Sequence, residues 1–254
     1  MRHPRCAPRG HRGRLGAVVL KPVGAARSVI ITGAFGALGG AVARRFAAEG
    51  DRLGLIDRAA PPDWARSAFG APHQLRGGID LADERAAGAA VAALGAGLGG
   101  LDVLVNVAGG FQWELVARGS VATWQAMFDM NLRTALVACQ AAIPLLAARG
   151  GGRIINIGAG AAGRAAAGMG AYTASKAGLE RLTEALAAEL RDQQILVNTI
   201  LPGTIDTPRN RADMPDADFA RWVAPDAVAD VVAFLASEGA RAVTGAAIRV
   251  FGRG

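Results

Sequence analysis

Hydrophobic residues in this chain fall into short unbroken runs, separated by longer stretches in which they recur every three or four positions. The runs SVIITG (from Ser28), RLGLID (Arg52–Asp57), LDVLVNVAG (from Leu101), GRIINIG (from Gly152), ILVNTILPG (from Ile195) and AAIRVFG (from Ala246) predict strands, and HQLRGG (from His73) a weaker one. The periodic stretches predict helices over Ala37–Glu49, about Asp83–Leu98, from the cap Ser120 to about Arg149, over Ala171–Arg191 and over Pro225–Ala236. In the fourth of these Leu179, Leu182, Leu186 and Leu190 share one face. Strand and helix alternate throughout, which predicts parallel pairing through helical crossovers. The unbroken apolar strands fit a sheet covered on both sides. The predicted class is α/β, a doubly wound domain with a seven-stranded mostly parallel sheet and helices on both faces. Such sheets bind ligands beyond the carboxyl ends of their strands.

Charge divides the chain differently. The 254 residues carry a formal charge of +7, but Arg2, Arg5, Arg9, Arg12, Arg14, Lys21 and Arg27 stand in the first 27 residues without an acid. Of 28 basic residues, 21 then remain against 21 acidic ones. The basic character belongs to an arm, 1–26, and to Arg27 beside it, ahead of a domain, 27–254, that is formally neutral past Arg27. Three readings fit the arm: a tail or upstream extension of the reading frame, an Arg-rich targeting peptide, or a phosphate grip. Its lack of periodicity favours the first, so no nucleic-acid partner is expected. No run of 18 uninterrupted apolar residues occurs, so no membrane span is expected. Cys6 and Cys139 make no disulfide framework, which points to a reduced, cytoplasmic setting. With His3, His11 and His73 the only histidines, no Cys/His cluster has metal spacing.

The Gly-rich stretch TGAFGALGG, Thr32–Gly40, closes the first strand and opens the first helix. Gly33 permits the tight turn and Gly39 close packing of helix on strand. The first-turn N–H groups and the helix dipole then face a pyrophosphate. Asp57 ends the second strand, 18 residues past Gly39, where a carboxylate can accept both adenosine ribose hydroxyls. It would repel a 2′-phosphate, which favours NAD(H). The neighbouring Arg58 keeps NADP(H) possible, and an ordinary turn acid remains the plainer reading of Asp57. This context makes the predicted fold a single Rossmann-type domain.

Further motifs follow in a fixed order. The stretch from Ser28 to Gly252 resembles the short-chain dehydrogenase/reductase family. Phe35, Gly36, Ala37, Leu38 and Gly39 are similar to its cofactor loop, with Ala37 in place of a glycine. Asp80 and Leu81, in GIDL, resemble its adenine contact, and Asn106, Ala108 and Gly109, in NVAG, its segment ending the fourth strand. Pro202, Gly203, Thr204, Ile205 and Thr207 resemble the segment that holds the nicotinamide carboxamide. The resemblance makes Tyr172, Lys176 and Asn131 the catalytic residues, with Tyr172 and Lys176 also on the cofactor and Asn131 holding a water that links Lys176 to solvent. A plain surface residue is the alternative for Asn131. Tyr172 is the only tyrosine and Lys176 one of two lysines, so their pairing is no accident of composition. Four residues apart on a helix, they share a face. The ammonium is expected to favour the phenolate, improving the phenol as an acid toward a substrate gaining hydride.

The family places a serine 13 residues before the tyrosine, where this chain has Ala159. Loss of one such oxyanion donor costs about 2.7–4 kcal/mol in other enzymes. The sequence therefore implies either crippled activity or a substrate that does not need the donor. A subgroup without the serine, the quinonoid dihydropteridine reductases, is similar at Val107–Phe111, at Gly168–Tyr172 and over Leu201–Trp222. Their conjugated substrate takes hydride without leaving a localised alkoxide. On this resemblance Phe111, Ala159, Met214 and Trp222 would face a small-molecule substrate, although Met214, Phe219 and Trp222 can equally pack as a lid. The expected function is NAD(P)H-dependent reduction of a small carbonyl or conjugated imine. A general alcohol or ketone dehydrogenase is the alternative, and a non-catalytic dinucleotide sensor an alternative of another class. By resemblance the long helices imply a homodimer or homotetramer.

Overall fold

The computed structural model describes residues 26–253. The expectations for the arm therefore fall almost wholly outside the described residues. Seven strands form one sheet: β1 (Ser28–Thr32), β2 (Arg52–Ile56), β3 (Gln74–Arg76), β4 (Val103–Asn106), β5 (Gly152–Ile157), β6 (Ile195–Pro202) and β7 (Ala247–Val250). Their spatial order is β3-β2-β1-β4-β5-β6-β7, and every pair is parallel. Eight α-helices accompany them among the described residues: α1 (Ala37–Ala48), α2 (Asp63–Ala68), α3 (Glu84–Gly97), α4 (Val121–Phe128), α5 (Thr134–Ala148), α6 (Gly170–Glu189), α7 (Pro208–Asp213) and α8 (Pro225–Leu235).

Strand residues alternate between two cores, as the two-residue repeat of a strand requires. Val29 and Ile31 of β1 join one core, with Val103, Val105, Ile155, Phe46 of α1 and Val228 and Val232 of α8. Ile30 joins the other, with Leu104, Ile154, Val91 and Leu94 of α3, Ala138 and Ala142 of α5 and Leu186 of α6. Helices on both faces follow, and the strand order reverses between β1 and β4. That opens a crevice at the carboxyl ends of these two strands.

Three features differ from the sequence reading. The expected helix from Ser120 to Arg149 is interrupted by a π-helical turn over Asp129–Arg133, although Ser120 does cap it by accepting from the Ala122 N–H. Its span Val121–Ala148 is long and apolar enough to cross a membrane by length and composition. Here Val137, Ala138, Cys139, Ala142 and Leu146 pack into the core. The short helices α2 and α7 were not expected, being too short to show a repeat. Finally Arg27, counted above with the basic arm, belongs to the fold.

The backbone N–H and guanidinium of Arg27 both bond the buried Asp51. The guanidinium also reaches Glu49 and the Ala236 carbonyl and lies over the Phe46 ring. This ties the entry of β1 to the ends of α1 and α8. Arg27→Ala leaves the buried carboxylate of Asp51 without its cation. It is expected to lower stability by about 2 kcal/mol, read as an earlier urea midpoint at unchanged slope.

Candidate functional site

β1 ends at Thr32 and the chain turns through Gly33, whose φ of +63° favours glycine. A Cβ there would lie 2.7 Å from the Ala108 N, so this turn and the one after β4 touch. At Gly39 a Cβ would fall 2.1 Å from the Gly33 carbonyl oxygen, which seats α1 directly on the turn. No side chain caps the first turn of α1 and no acid stands in it. Its free N–H groups are left for an anion, and the backbone cradle fits a pyrophosphate.

Asp57 braces this turn. One oxygen accepts from the Phe35 N–H at 2.9 Å and the other from the Ala59 N–H at 2.9 Å. The carboxylate also lines the crevice. Arg58 is exposed beside it, Asp80 is exposed with one oxygen on the Ala82 N–H, and Leu81 is buried in the core.

At the far side of the crevice α6 presents Tyr172 and Lys176. Lys176 is 5% exposed and its Nζ donates to the Ile157 carbonyl at 2.7 Å. Burial pushes its pKa down to about 8. The Tyr172 hydroxyl has no protein hydrogen-bond partner among the described residues, and its ring meets the edge of Phe111 at 5.0 Å and 87°. Burial pushes its pKa up to about 12. The expected acidification by the ammonium is thus not seen in the protein alone. Lys176 spends a hydrogen bond on Ile157, and desolvation of the phenol prevails.

These groups share one cleft of about 940 Å³, near the upper end of small-molecule sites. Of the expected site residues, Gly33, Gly36, Ala37, Leu38, Gly39, Asp57, Arg58, Asp80, Leu81, Ala108, Gly109, Phe111, Tyr172, Lys176, Ile205 and Thr207 line it.

Other expected residues stand elsewhere. Asn106 is buried, donating to Asn156 Oδ1 at 2.9 Å and Cys139 Sγ at 3.3 Å, because its side chain leaves the sheet on the face that α5 covers and not at the strand end. Asn131 is fully buried in the π-helical turn. Its amide accepts from the Gly110 N–H at 2.9 Å and donates to the Gly110 carbonyl and to Ser175 Oγ, both at 3.1 Å. Its side-chain amide is thus engaged with protein groups. Phe35 turns toward the outer side of the loop, beside Arg44 and Trp64. Gly203 packs against Phe251 with its N–H on the Val250 carbonyl, and the Thr204 carbonyl receives the Val223 N–H. Those backbone bonds hold Pro202–Thr204 to β7 and the segment before α8, outside the cleft wall. Ala159 is buried and offers no hydroxyl at the end of β5. Met214 and Trp222 lie outside the cleft, the Trp222 ring tilted at 52° to that of Phe219 with centroids 4.8 Å apart.

The wall on the α7 side is instead Pro208, Arg209, Asn210 and Asp213, and Asp129, Met130 and Thr134 close the floor. The sequence held one signal for the former: Thr207 before Pro208 is a helix start, and Thr207 does cap α7 by accepting from the Asn210 N–H at 3.1 Å.

The burial of Lys176 has a consequence for stability. Its pKa falls from the ordinary 10.5 to about 8, so between these values the unfolded chain binds more protons than the folded one. Stability therefore rises with pH across that window. Below about pH 8 the charge costs stability in full. Lys176→Met is expected to outlast wild type in urea at pH 7, with the difference shrinking as pH rises toward 10.

Comparison with known proteins agrees with this geometry. Residues 27–218 match the short chain dehydrogenase family model. The chain is 35% identical over 239 residues to 2-(R)-hydroxypropyl-CoM dehydrogenase of Xanthobacter autotrophicus, spanning 87% of this chain and 96% of that protein. It is 32% identical over 235 residues to D-threitol dehydrogenase of Mycolicibacterium smegmatis, spanning 88% and 90%. Among solved structures, a short-chain type dehydrogenase/reductase from Mycobacterium ulcerans superposes with a TM-score of 0.82 at 27% identity, covering 89% of each chain. A 3-ketoacyl-(acyl-carrier-protein) reductase from Brucella melitensis, complexed with NADH, superposes with a TM-score of 0.80 at 28% identity, covering 89% and 98%. With its Gly-rich turn, its Tyr172–Lys176 pair and these relatives, the chain belongs to the short-chain dehydrogenase/reductase family and is an NAD(P)-dependent oxidoreductase.

Proposed function

We propose that this enzyme reduces a conjugated imine or small carbonyl compound with NADH, in the manner of a dihydropteridine reductase. The observation that carries the reading is the opening of the unbonded Tyr172 hydroxyl and the buried Lys176 into the same cleft as the uncapped first turn of α1 and Asp57. The first-turn N–H groups would bind the pyrophosphate, Asp57 the adenosine ribose hydroxyls, and Asp80 with Leu81 would flank the adenine. Asp57 supports NAD(H) over NADP(H), while Arg58 leaves room for the latter. The nicotinamide supplies hydride when bound.

The chain's own residues manage the proton. Tyr172 donates its phenolic proton to the substrate nitrogen or oxygen as charge develops there, and the nearby Lys176 ammonium stabilises the phenolate left behind. Lys176 is fixed for this by the Ile157 carbonyl, with its remaining N–H groups free for the nicotinamide ribose. Asn131 fixes Gly110 and so shapes the wall that faces Tyr172. Ala159 argues for a substrate whose charge is delocalised, since no hydroxyl at the end of β5 awaits a localised oxyanion. A general alcohol or ketone dehydrogenase is the second reading, favoured by relatives named for alcohol substrates. A reduced, cytoplasmic setting and a homodimer or homotetramer complete the proposal. The first is supported by the buried, unpaired Cys139 and the second by the exposed apolar side chains at Val116 and Val121.

NADH consumption with a quinonoid dihydropterin, against a panel of ketones and alcohols, tests the substrate class. Preference for the dihydropterin supports the first reading and preference for a ketone the second. Binding of NADH without turnover of any substrate would favour a sensor. Tyr172→Phe is expected to lower kcat by about 10²-fold or more at unchanged NADH affinity, and full turnover by this variant would refute the proton-donor role. Ala159→Ser is expected to raise ketone reduction roughly tenfold or more, by supplying an oxyanion donor.

A further inference from the structure

The loop joining β4 to α4 carries a row of exposed apolar residues, among them Phe111, Trp113 and Val116. It is nonetheless anchored at three points. At its start the Gly110 peptide is gripped on both sides by Asn131. At its end Glu114 accepts from the Ser120 N–H at 3.0 Å. Between them it is joined to the loop that leads into α6. There the Glu114 N–H donates to the Gly168 carbonyl at 2.9 Å and Trp113 Nε1 donates to the Ala167 carbonyl at 3.1 Å.

Trp113 also packs tightly on Gly168. Gly168 has φ +76°, and a Cβ there would fall 2.0 Å from Trp113 Cε2. The indole therefore occupies the space that a side chain at 168 would need. Trp113 is also 57% exposed, so it adds little to either core. An indole held half in water, with its N–H and one face committed to a neighbouring loop, is poorly explained by burial alone. The two loops it joins are the two that flank Tyr172. Phe111, one anchor back, presents its ring edge-on to that tyrosine and lines the cleft.

We propose that Trp113 is a positioning residue for Tyr172: its indole, seated on Gly168, clamps the loop after β4 to the loop before α6 and so holds Phe111 against the phenol. The clamp determines how much water reaches the phenol and which way its hydroxyl points into the cleft. Burial raises the pKa of Tyr172, so a loosened clamp that admits water is expected to let it fall toward its ordinary 10. The inference rests on the proposed proton-donor role of Tyr172 only where it concerns turnover.

The experiment uses the fact that Tyr172 is the only tyrosine. Full-length enzyme carrying isotope-labelled tyrosine gives one tyrosine resonance, and its position and titration report this phenol alone. Phe111→Ala sets the response to losing the cover. Trp113→Ala and Gly168→Ala are expected to move the resonance and lower the phenol pKa in the same direction. Trp113→Phe, which keeps a ring on Gly168, restores most of the wild-type signal. With turnover followed alongside, kcat is expected to fall about tenfold or more in Trp113→Ala, with NADH affinity and thermal midpoint held near wild type. A Trp113→Ala resonance and titration identical to wild type, beside a displaced Phe111→Ala resonance, would overturn the proposal. So would a drop in NADH affinity and midpoint as large as the drop in kcat, which marks general loosening. If Tyr172→Phe keeps full turnover, the proton-donor reading fails while the wild-type, Phe111 and Trp113 resonances still decide the clamp.

Discussion

One ammonium, taken out of water and given a single carbonyl, constrains the side of the cleft that carries Tyr172. Lys176 reaches the Ile157 carbonyl only because α6 lies against the end of β5. An isolated buried charge is costly, and here its pKa is depressed to about 8. The cost is retained because the same position faces the cleft, beside a phenol on the preceding helical turn. A hydrophobic residue at 176 would pack more cheaply and would leave Tyr172 without a cation. The site is thus a place where stability and chemistry pull in opposite directions.

Around that charge the backbone does much of the positioning. Gly33 lets the turn after β1 press against Ala108, and Gly39 lets α1 press against Gly33. The anion cradle and the wall facing Tyr172 are therefore parts of one contiguous packing. Asp57 braces the cradle, its carboxylate accepting from the Phe35 N–H while it lines the cleft. Asn131 acts similarly across the site, pairing with the Gly110 peptide as a neighbouring strand would. The π-helical turn places it there, since the wider winding rotates residue 131 inward and lets a long helix bring an amide to a loop.

The missing hydroxyl at Ala159 accords with the proposal that one phenol carries the proton chemistry. Where a second donor would stand, the structure has a buried methyl at the start of a tight turn. Asn106 and Asn156, two more amides near the strand ends, are linked in a buried chain through Thr183. They satisfy one another and not a ligand. Buried polar groups of this kind specify how β4, β5 and α6 fit together.

Local pattern was enough to read the layers. Unbroken runs such as VLVN give doubly covered strands, and the leucines of α6 give its buried face, because side-chain period follows directly from backbone geometry. The Gly-rich turn, Asp57, Tyr172 and Lys176 were legible for the same reason, each fixed by its distance from a strand end or along one helix. What lay beyond reach depended on residues far apart in the chain. The direction of Asn106 is set by Asn156, the occupation of Asn131 by Gly110, and the raised pKa of Tyr172 by its burial. Short helices such as α7 carry too few turns to leave a repeat, so the α7 wall of the cleft stayed hidden. The sequence by itself determined which residues could do the chemistry. Only tertiary packing decided which of them face the cleft and how dry they are, because orientation and desolvation belong to neighbours that local spacing does not name.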